Sequence, residues 1–245
     1  MARKKASRRK AGVDRFACLD LDREHRTGIP EVVIAEGKRK DHLVAIAKRF
    51  LKAKGRVIIT RVDPSVIRAL RSKGVTCEAH PEARMCVLKR KGYKVRPTGG
   101  MVAILAAGTS DHAVGEEARI MAEELGCTVR TFYDIGIAGV HRLFKALKGL
   151  DLDVVDAFIV VAGREGALPT LVAGLVDAPV IGVPVSTGYG KGGRGEAALM
   201  AMLQSCSPIV VVNIDAGFVA GVVAARIASR AAKARHESIQ KRKNR

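Results

Sequence analysis

From residue 101 onward the chain repeats one pattern: a short run of Val, Ile and Ala, a turn, then a longer segment with helical periodicity. The spacing predicts strands at 102–106, 128–133, 156–161, 179–183 and 209–212. It predicts helices at 112–125, 139–148, 168–176, 195–204 and 216–229. Most of the strand runs are continuous Val/Ile/Ala stretches rather than alternating, as expected when both sheet faces are covered. Strict βα alternation with right-handed crossovers leaves few topologies open. The expected fold class is therefore α/β, a three-layer doubly wound parallel sheet. In such sheets ligands bind at the carboxyl ends of the strands.

Upstream, residues 14–96 read as a small α/β domain. Asp41 to Leu51 is helical, Arg56 to Thr60 a strand, Pro64 to Arg71 a helix and Arg84 to Lys89 another strand. Lys89 to Gly100, with Gly92, Pro97 and Gly99-Gly100, reads as a linker. The formal charge of +19 concentrates at the ends of the chain. Residues 1–10 carry six Lys or Arg, and residues 230–245 carry seven against Glu237. The expected organisation is a basic leader at 1–13, the small domain at 14–96, the catalytic domain at 101–229 and a basic tail at 230–245. Like-charge blocks of this kind read as solvated tails. A nucleic-acid binder is the alternative, but nine aromatics without Trp leave few stacking platforms. No apolar stretch reaches membrane-spanning length and no apolar run follows the basic N-terminus, so neither a membrane span nor a signal peptide is expected. Five cysteines, an odd number without framework spacing, fit a reducing cytoplasm. No Cys/His cluster suggests structural zinc.

The polar residues cluster where strands give way to helices. Gly108-Thr109-Ser110-Asp111 follows the first of the five strands and enters a helix, where free N–H groups attract phosphate or carboxylate; an ordinary N-cap is the alternative. Gly163-Arg164-Glu165-Gly166 follows the third, and a partly buried Glu165 there could act as general base or acid; a solvated loop carboxylate is the alternative. Asp134 and the pair His141-Arg142 follow the second, with Arg142 able to hold phosphate. Five glycines between Gly188 and Gly195 surround Tyr189 and Gly190 and read as a lid or substrate loop. Cys206 stands between a helix and an apolar strand and is placed with these groups at the ligand edge; as a nucleophile it needs a lowered pKa, and a small core residue is the alternative. Asn213 and Asp215 follow the last strand. In the small domain Arg26, Lys38 and Arg61 could clamp a second phosphate.

Taken together these segments resemble the LarB family of nickel-pincer cofactor biosynthesis proteins. The resemblance runs from about residue 20 to 225 and rests on Arg26 to Glu31, Gly37-Lys38, Thr60-Arg61, Ala107 to Asp111, Tyr133 to Arg142, Ala162 to Pro169, Gly188 to Gly190, Ser205-Cys206 and Val212 to Asp215. The C-terminal region also resembles the PurE-type aminoimidazole ribonucleotide carboxylases, in the Gly108 to Asp111 turn and the His141-Arg142 pair. It departs at Ala167, which stands where those enzymes carry a catalytic His before Leu-Pro.

The resemblance implies an enzyme that uses nicotinic acid adenine dinucleotide, carbon dioxide and water. It adds a second carboxylate to the pyridinium ring and cleaves the phosphoanhydride, releasing AMP and pyridinium-3,5-biscarboxylic acid mononucleotide. Cys206 would be the covalent nucleophile. Ser110 and Asp111 would position carbon dioxide or handle the proton, and Glu165 would remove the proton or orient the thiol. The remaining motif residues would bind substrate. The resemblance implies no tightly bound cofactor, brings in magnesium for the phosphoanhydride step without assigning ligands, and implies a cytoplasmic homo-octamer. A purine-pathway carboxylase or mutase is the alternative enzyme reading, and Ala167 speaks against it.

Overall fold

The computed structural model describes residues 12–72 and 76–243, and the chain divides between Tyr93 and Lys94 into two compact units. Residues 1–11, most of the expected basic leader, lie outside the described residues.

The first unit runs α1 (Arg23–Thr27), β1 (Val32–Ile34), α2 (Lys40–Lys54), β2 (Arg56–Thr60), α3 (Pro64–Ser72), β3 (Cys77–His80) and β4 (Met85–Lys89). Its four strands are ordered β1-β2-β4-β3. β1 and β2 are parallel and the other pairs antiparallel, so the sheet is mixed. One face packs under α2 and α3 through Leu43, Ile46, Phe50, Ile59, Leu70 and Leu88. The sequence pattern does not mark β1 or β3 as strands. β1 has three residues, and β3 is an edge strand, CEAH, without an apolar period. Cys77 and Cys86 face each other diagonally across β3 and β4 and are joined by a disulfide. The odd count and irregular spacing of the cysteines give no sign of this pair.

The second unit runs β5 (Met101–Ala106), α4 (His112–Glu124), β6 (Thr128–Phe132), α5 (Val140–Lys148), β7 (Ala157–Ala162), α6 (Leu168–Ala173), β8 (Val180–Pro184), α7 (Glu196–Leu203), β9 (Val210–Val211) and α8 (Gly217–Lys243). Its five strands are all parallel and ordered β6-β5-β7-β8-β9. This is the doubly wound, three-layer α/β fold. α4 and α8 cover one face, over Val102, Ile104, Ile159 and Val183. α5, α6 and α7 cover the other, over Ala103, Leu105, Phe158 and Val160. Because β5 lies between β6 and β7, the winding direction reverses beside it, and a crevice opens there at the carboxyl edge.

One boundary differs from the sequence reading. The helix expected at 216–229 continues to Lys243, and residues 233–242 of it are exposed to solvent. Small residues on one face pack the helix as far as Ala232. Ala220, Ala224, Ala225, Ala228 and Ala232 are buried, and at Gly221 a Cβ would stand 2.6 Å from the Ala118 carbonyl oxygen of α4. Further along, Arg235 Nη2 donates to the buried Asp156 carboxylate at 3.1 Å, and Asp156 also accepts from the Met101 amide at 2.8 Å. Charged residues occupy the exposed face of this helix, and a linear reading sees only their charge.

Candidate functional site

A cavity of about 400 Å³ occupies the crevice. Ala107, Gly108, Ser110 and Asp111 line it from the turn after β5. Ala162, Gly163, Arg164, Glu165, Ala167 and Leu168 line it from the turn after β7. Gly136, Ile137 and Ala138 close it from beyond β6, and Thr187 from beyond β8. Loops from four strand ends thus converge where the winding reverses.

The β7 turn is held from both sides. A Cβ on Gly163 would stand 2.6 Å from Thr187 Oγ1, and one on Gly166 would stand 2.7 Å from the Ala198 carbonyl oxygen. Gly166 N donates to the Gly163 carbonyl at 2.9 Å and closes the turn. Its two corner residues, Arg164 and Glu165, are left exposed beside the cavity. Arg164 takes the left-handed conformation at φ 53°, one that non-glycine residues adopt mostly where surrounding structure holds them. Glu165 is exposed, as the solvated-carboxylate alternative has it.

Asp111 is buried and acts as a brace. Its carboxylate accepts from the Gly108 amide at 2.9 Å and from Thr187 Oγ1 at 3.0 Å, tying the β5 turn to the start of the glycine-rich loop. Asp215, after β9, accepts from the Ser186 amide at 2.9 Å and anchors the same loop. Ser110 faces the cavity beside them, and Thr109 lies in the same 3-10 turn without lining the cavity.

Other expected site residues fall outside the cavity wall. Arg142 pairs with Asp134, so its guanidinium is already neutralised within the chain. His141 is exposed on α5. Gly188, Tyr189 and Gly190 are on the glycine-rich loop, and of these Tyr189 reaches back, with Arg164 Cζ 4.4 Å from its ring centroid. Asn213 caps its own turn by accepting from Ile214 N at 2.8 Å. In the first unit Arg26 binds Asp20, Arg61 binds Glu36 at 3.0 Å, and Lys38 donates to the Ile34 carbonyl at 2.8 Å. Each of the three cations expected to clamp phosphate therefore has a partner in its own unit.

Cys206 requires a correction. It precedes β9, and in a parallel sheet the residues before a strand lie at the amino edge, opposite the ligand edge. Its neighbourhood agrees: Ser205 Oγ accepts from Thr170 in α6, and Ser207 lies against Gly174 beyond the end of that helix, whereas the cavity meets α6 at its start, Leu168. The thiol is exposed and does not line the cavity of its own chain. Of the other free thiols, Cys127 is buried, and burial pushes its pKa up; Cys18 is exposed in the first unit.

Sequence reasoning missed Arg164 and Thr187. Among the described residues Arg164 is the only cation on the cavity wall, and it was legible as the one basic residue in Gly163 to Gly166. Thr187 carries no local signal, since only the folded loop brings it to Asp111. Among the described residues no group of three or more His, Cys, Asp or Glu is placed to hold a metal ion.

Comparisons with known proteins agree with this architecture. Residues 11–91 match the LarB/PurE-like N-terminal domain, and residues 101–245 match the AIR carboxylase domain. The uncharacterized protein MJ0165 of Methanocaldococcus jannaschii is 45% identical over 216 residues, covering 86% of this chain and 83% of that protein. The N5-carboxyaminoimidazole ribonucleotide mutase of Thermotoga maritima is 32% identical over 130 residues, 51% of this chain and 73% of its own length. The crystal structure of Treponema denticola PurE aligns with 58% of this chain and 92% of its own, at 23% identity and a TM-score of 0.40. With both domains matched in order along one chain, the protein belongs to the LarB family of carboxylase- and mutase-like enzymes, with a PurE-like C-terminal domain.

Proposed function

We propose that the protein carboxylates the pyridinium ring of nicotinic acid adenine dinucleotide and hydrolyses its phosphoanhydride, giving pyridinium-3,5-biscarboxylic acid mononucleotide and AMP for nickel-pincer cofactor assembly. The observation that carries this reading is the make-up of the cavity wall. Ser110, Asp111 and Glu165 line it, and Ala167 stands where a purine carboxylase would need its histidine. An alanine cannot move a proton, so the purine reaction loses its acid-base group here. The likeness to the purine mutase of Thermotoga maritima spans 51% of this chain.

A pyridinium ring is electron-poor and does not attack carbon dioxide. Addition of a thiolate to the ring forms a C–S bond and turns the ring into a neutral enamine. The enamine carbon then forms a C–C bond to carbon dioxide, leaving a carboxylate and a cationic ring. Loss of the proton from that carbon to Glu165 restores the enamine, and expulsion of the thiolate restores the aromatic pyridinium. Covalent catalysis of this kind divides one difficult step into easier ones. Ser110 positions carbon dioxide through its hydroxyl, and Asp111 holds the turn that presents it. Water attacks the phosphoanhydride and AMP leaves.

The thiol comes from a second copy of the chain. Cys206 is exposed at the amino edge among exposed Met200, Leu203 and Val210. Exposed Ile137, Val140 and Phe144 form a second apolar patch at helical spacing beside the cavity, and Ile137 is part of its wall. Docking the first patch of one copy on the second patch of another brings Cys206 to the ring. Such a contact joins unlike surfaces and closes into rings, which fits the homo-octamer that the family resemblance implies.

The test is incubation of the purified protein with nicotinic acid adenine dinucleotide and labelled bicarbonate, followed by mass analysis. The expected products are the labelled biscarboxylate mononucleotide and AMP. Unlabelled substrate recovered intact, or label entering aminoimidazole ribonucleotide in a parallel reaction, contradicts the proposal.

A further inference from the structure

We infer that Arg164 selects the acid form of the pyridine ring, by pairing its guanidinium with the ring carboxylate that the substrate already carries. The inference rests on the substrate class proposed above and adds the residue that reads it. Three observations converge. First, the cavity wall carries two carboxylates, Asp111 and Glu165, and one cation, Arg164. A substrate bearing a carboxylate meets repulsion from that wall unless Arg164 offsets it. Second, Arg164 differs from the other arginines expected at the site. Arg26, Arg61 and Arg142 each hold a carboxylate of the chain. Among the described residues Arg164 forms no salt bridge, and the neighbouring Glu165 acts on it only through charge; its contact is Tyr189, a side chain 80% exposed on the glycine-rich loop. The proximity holds the Tyr189 phenol below its ordinary value, through hydrogen bonding to the guanidinium. One ring face and one hydroxyl occupy a small part of a fork with five N–H donors, so the in-plane pairs remain open to a carboxylate. Third, the backbone holds the residue in place. Arg164 has φ 53° in a turn whose flanking glycines have no room for a Cβ. The guanidinium and Glu165 are adjacent corners of that turn, so a carboxylate held by Arg164 sets the ring beside the group that takes its proton.

An amide in place of the carboxylate has no charge to offer. Charge-assisted pairing of this kind is worth roughly 10- to 100-fold in affinity. A phosphate of the nucleotide would present the same anionic chemistry, and the test separates the two. Binding of nicotinic acid mononucleotide, nicotinamide mononucleotide and AMP is measured by calorimetry on the full chain, for wild type, Arg164→Gln and Arg164→Gly. The glycine variant accepts the left-handed backbone and so keeps the turn. The expected result is a wild-type preference for the acid over the amide of about 10-fold or more, lost in both variants, with amide and AMP affinities unchanged. Parallel weakening of acid, amide and AMP assigns the guanidinium to phosphate and overturns the inference. An unchanged acid preference overturns it as well, while leaving the carboxylation reaction in place. If wild type binds neither mononucleotide, both the inference and the reading on which it rests fail.

Discussion

The two edges of the five-stranded sheet are built from the same strands and do opposite work. At the carboxyl edge three non-glycine residues, Asp134, Arg164 and Asp215, take left-handed conformations directly beyond strand ends. Exposed Arg164 and Glu165 stand there beside an open cavity. At the amino edge the buried Asp156 ties Arg235 of α8 to the start of β5, and the helices end in short turns. Strain collects at one edge and locking at the other, which is how a rigid scaffold presents a reactive site. Cys206 is the exception, an exposed thiol on the locked edge. That exception is why the proposed mechanism takes its thiol from a second copy.

The largest expected effect breaks the carboxyl edge alone. Glu165→Gln keeps shape and hydrogen bonding but cannot take a proton. Turnover should fall by about 10²- to 10⁴-fold with dinucleotide affinity nearly unchanged. Weakened binding with an intact maximal rate would instead make Glu165 a binding residue.

The next effect breaks the amino edge and should spare the chemistry. Arg235→Ala leaves the buried Asp156 carboxylate without its cation, at a cost of about 2 kcal/mol, softened because half of Arg235 is in water. Denaturant unfolding reads the loss, and kcat per folded enzyme should stay within a few-fold. Truncation sharpens the same point. Removing 238–245 should leave stability and turnover nearly intact, whereas removing 230–245 takes Ala232 and Arg235 with it and should destabilise the fold.

The smallest effect lies on α4. Burial works to raise the Glu116 pKa, but hydrogen bonds from Arg119 and Tyr133 outweigh it and hold the group below its usual 4.5. A lowered folded value means that this contribution is fully present above about pH 4.5 and is lost as pH falls below that. The pair is partly exposed, so the amount is at most about 1 kcal/mol. Glu116→Gln should flatten the acid limb of a stability-versus-pH curve by that amount. An unchanged acid limb removes Glu116 from the account of acid stability.

These contrasts follow what the sequence made legible. Runs such as Val102 to Ala106 and Phe158 to Val161 announce buried parallel strands because burial on both faces leaves no polar alternation. Ser110, Asp111 and Glu165 were readable because they follow such strands directly. β3 was not, since CEAH derives its strand character from pairing with β4 rather than from its own pattern. The far half of α8 was hidden because its charges stand in solvent and its fixed contacts are few, Ala232 and the Arg235–Asp156 pair. Cys206 misled for a topological reason. Its motif lies close in sequence to Asn213 and Asp215, yet β9 intervenes and carries the chain from one edge to the other. Arg164 lies inside the Gly163 to Gly166 motif, but what sets it apart is that it forms no salt bridge among the described residues, which only a folded chain reveals.

The central claim is that one copy's carboxyl edge works with another copy's amino-edge thiol. Mixing two inactive proteins tests it most directly. Cys206→Ala keeps an intact cavity, and Glu165→Gln keeps an intact thiol; each alone should be inactive. Co-expressed or reassembled together, they form some sites with a wild-type cavity from one copy and a wild-type thiol from the other. The account predicts that carboxylation of nicotinic acid adenine dinucleotide returns in the mixture. A mixture that forms mixed assemblies yet stays inactive would contradict it.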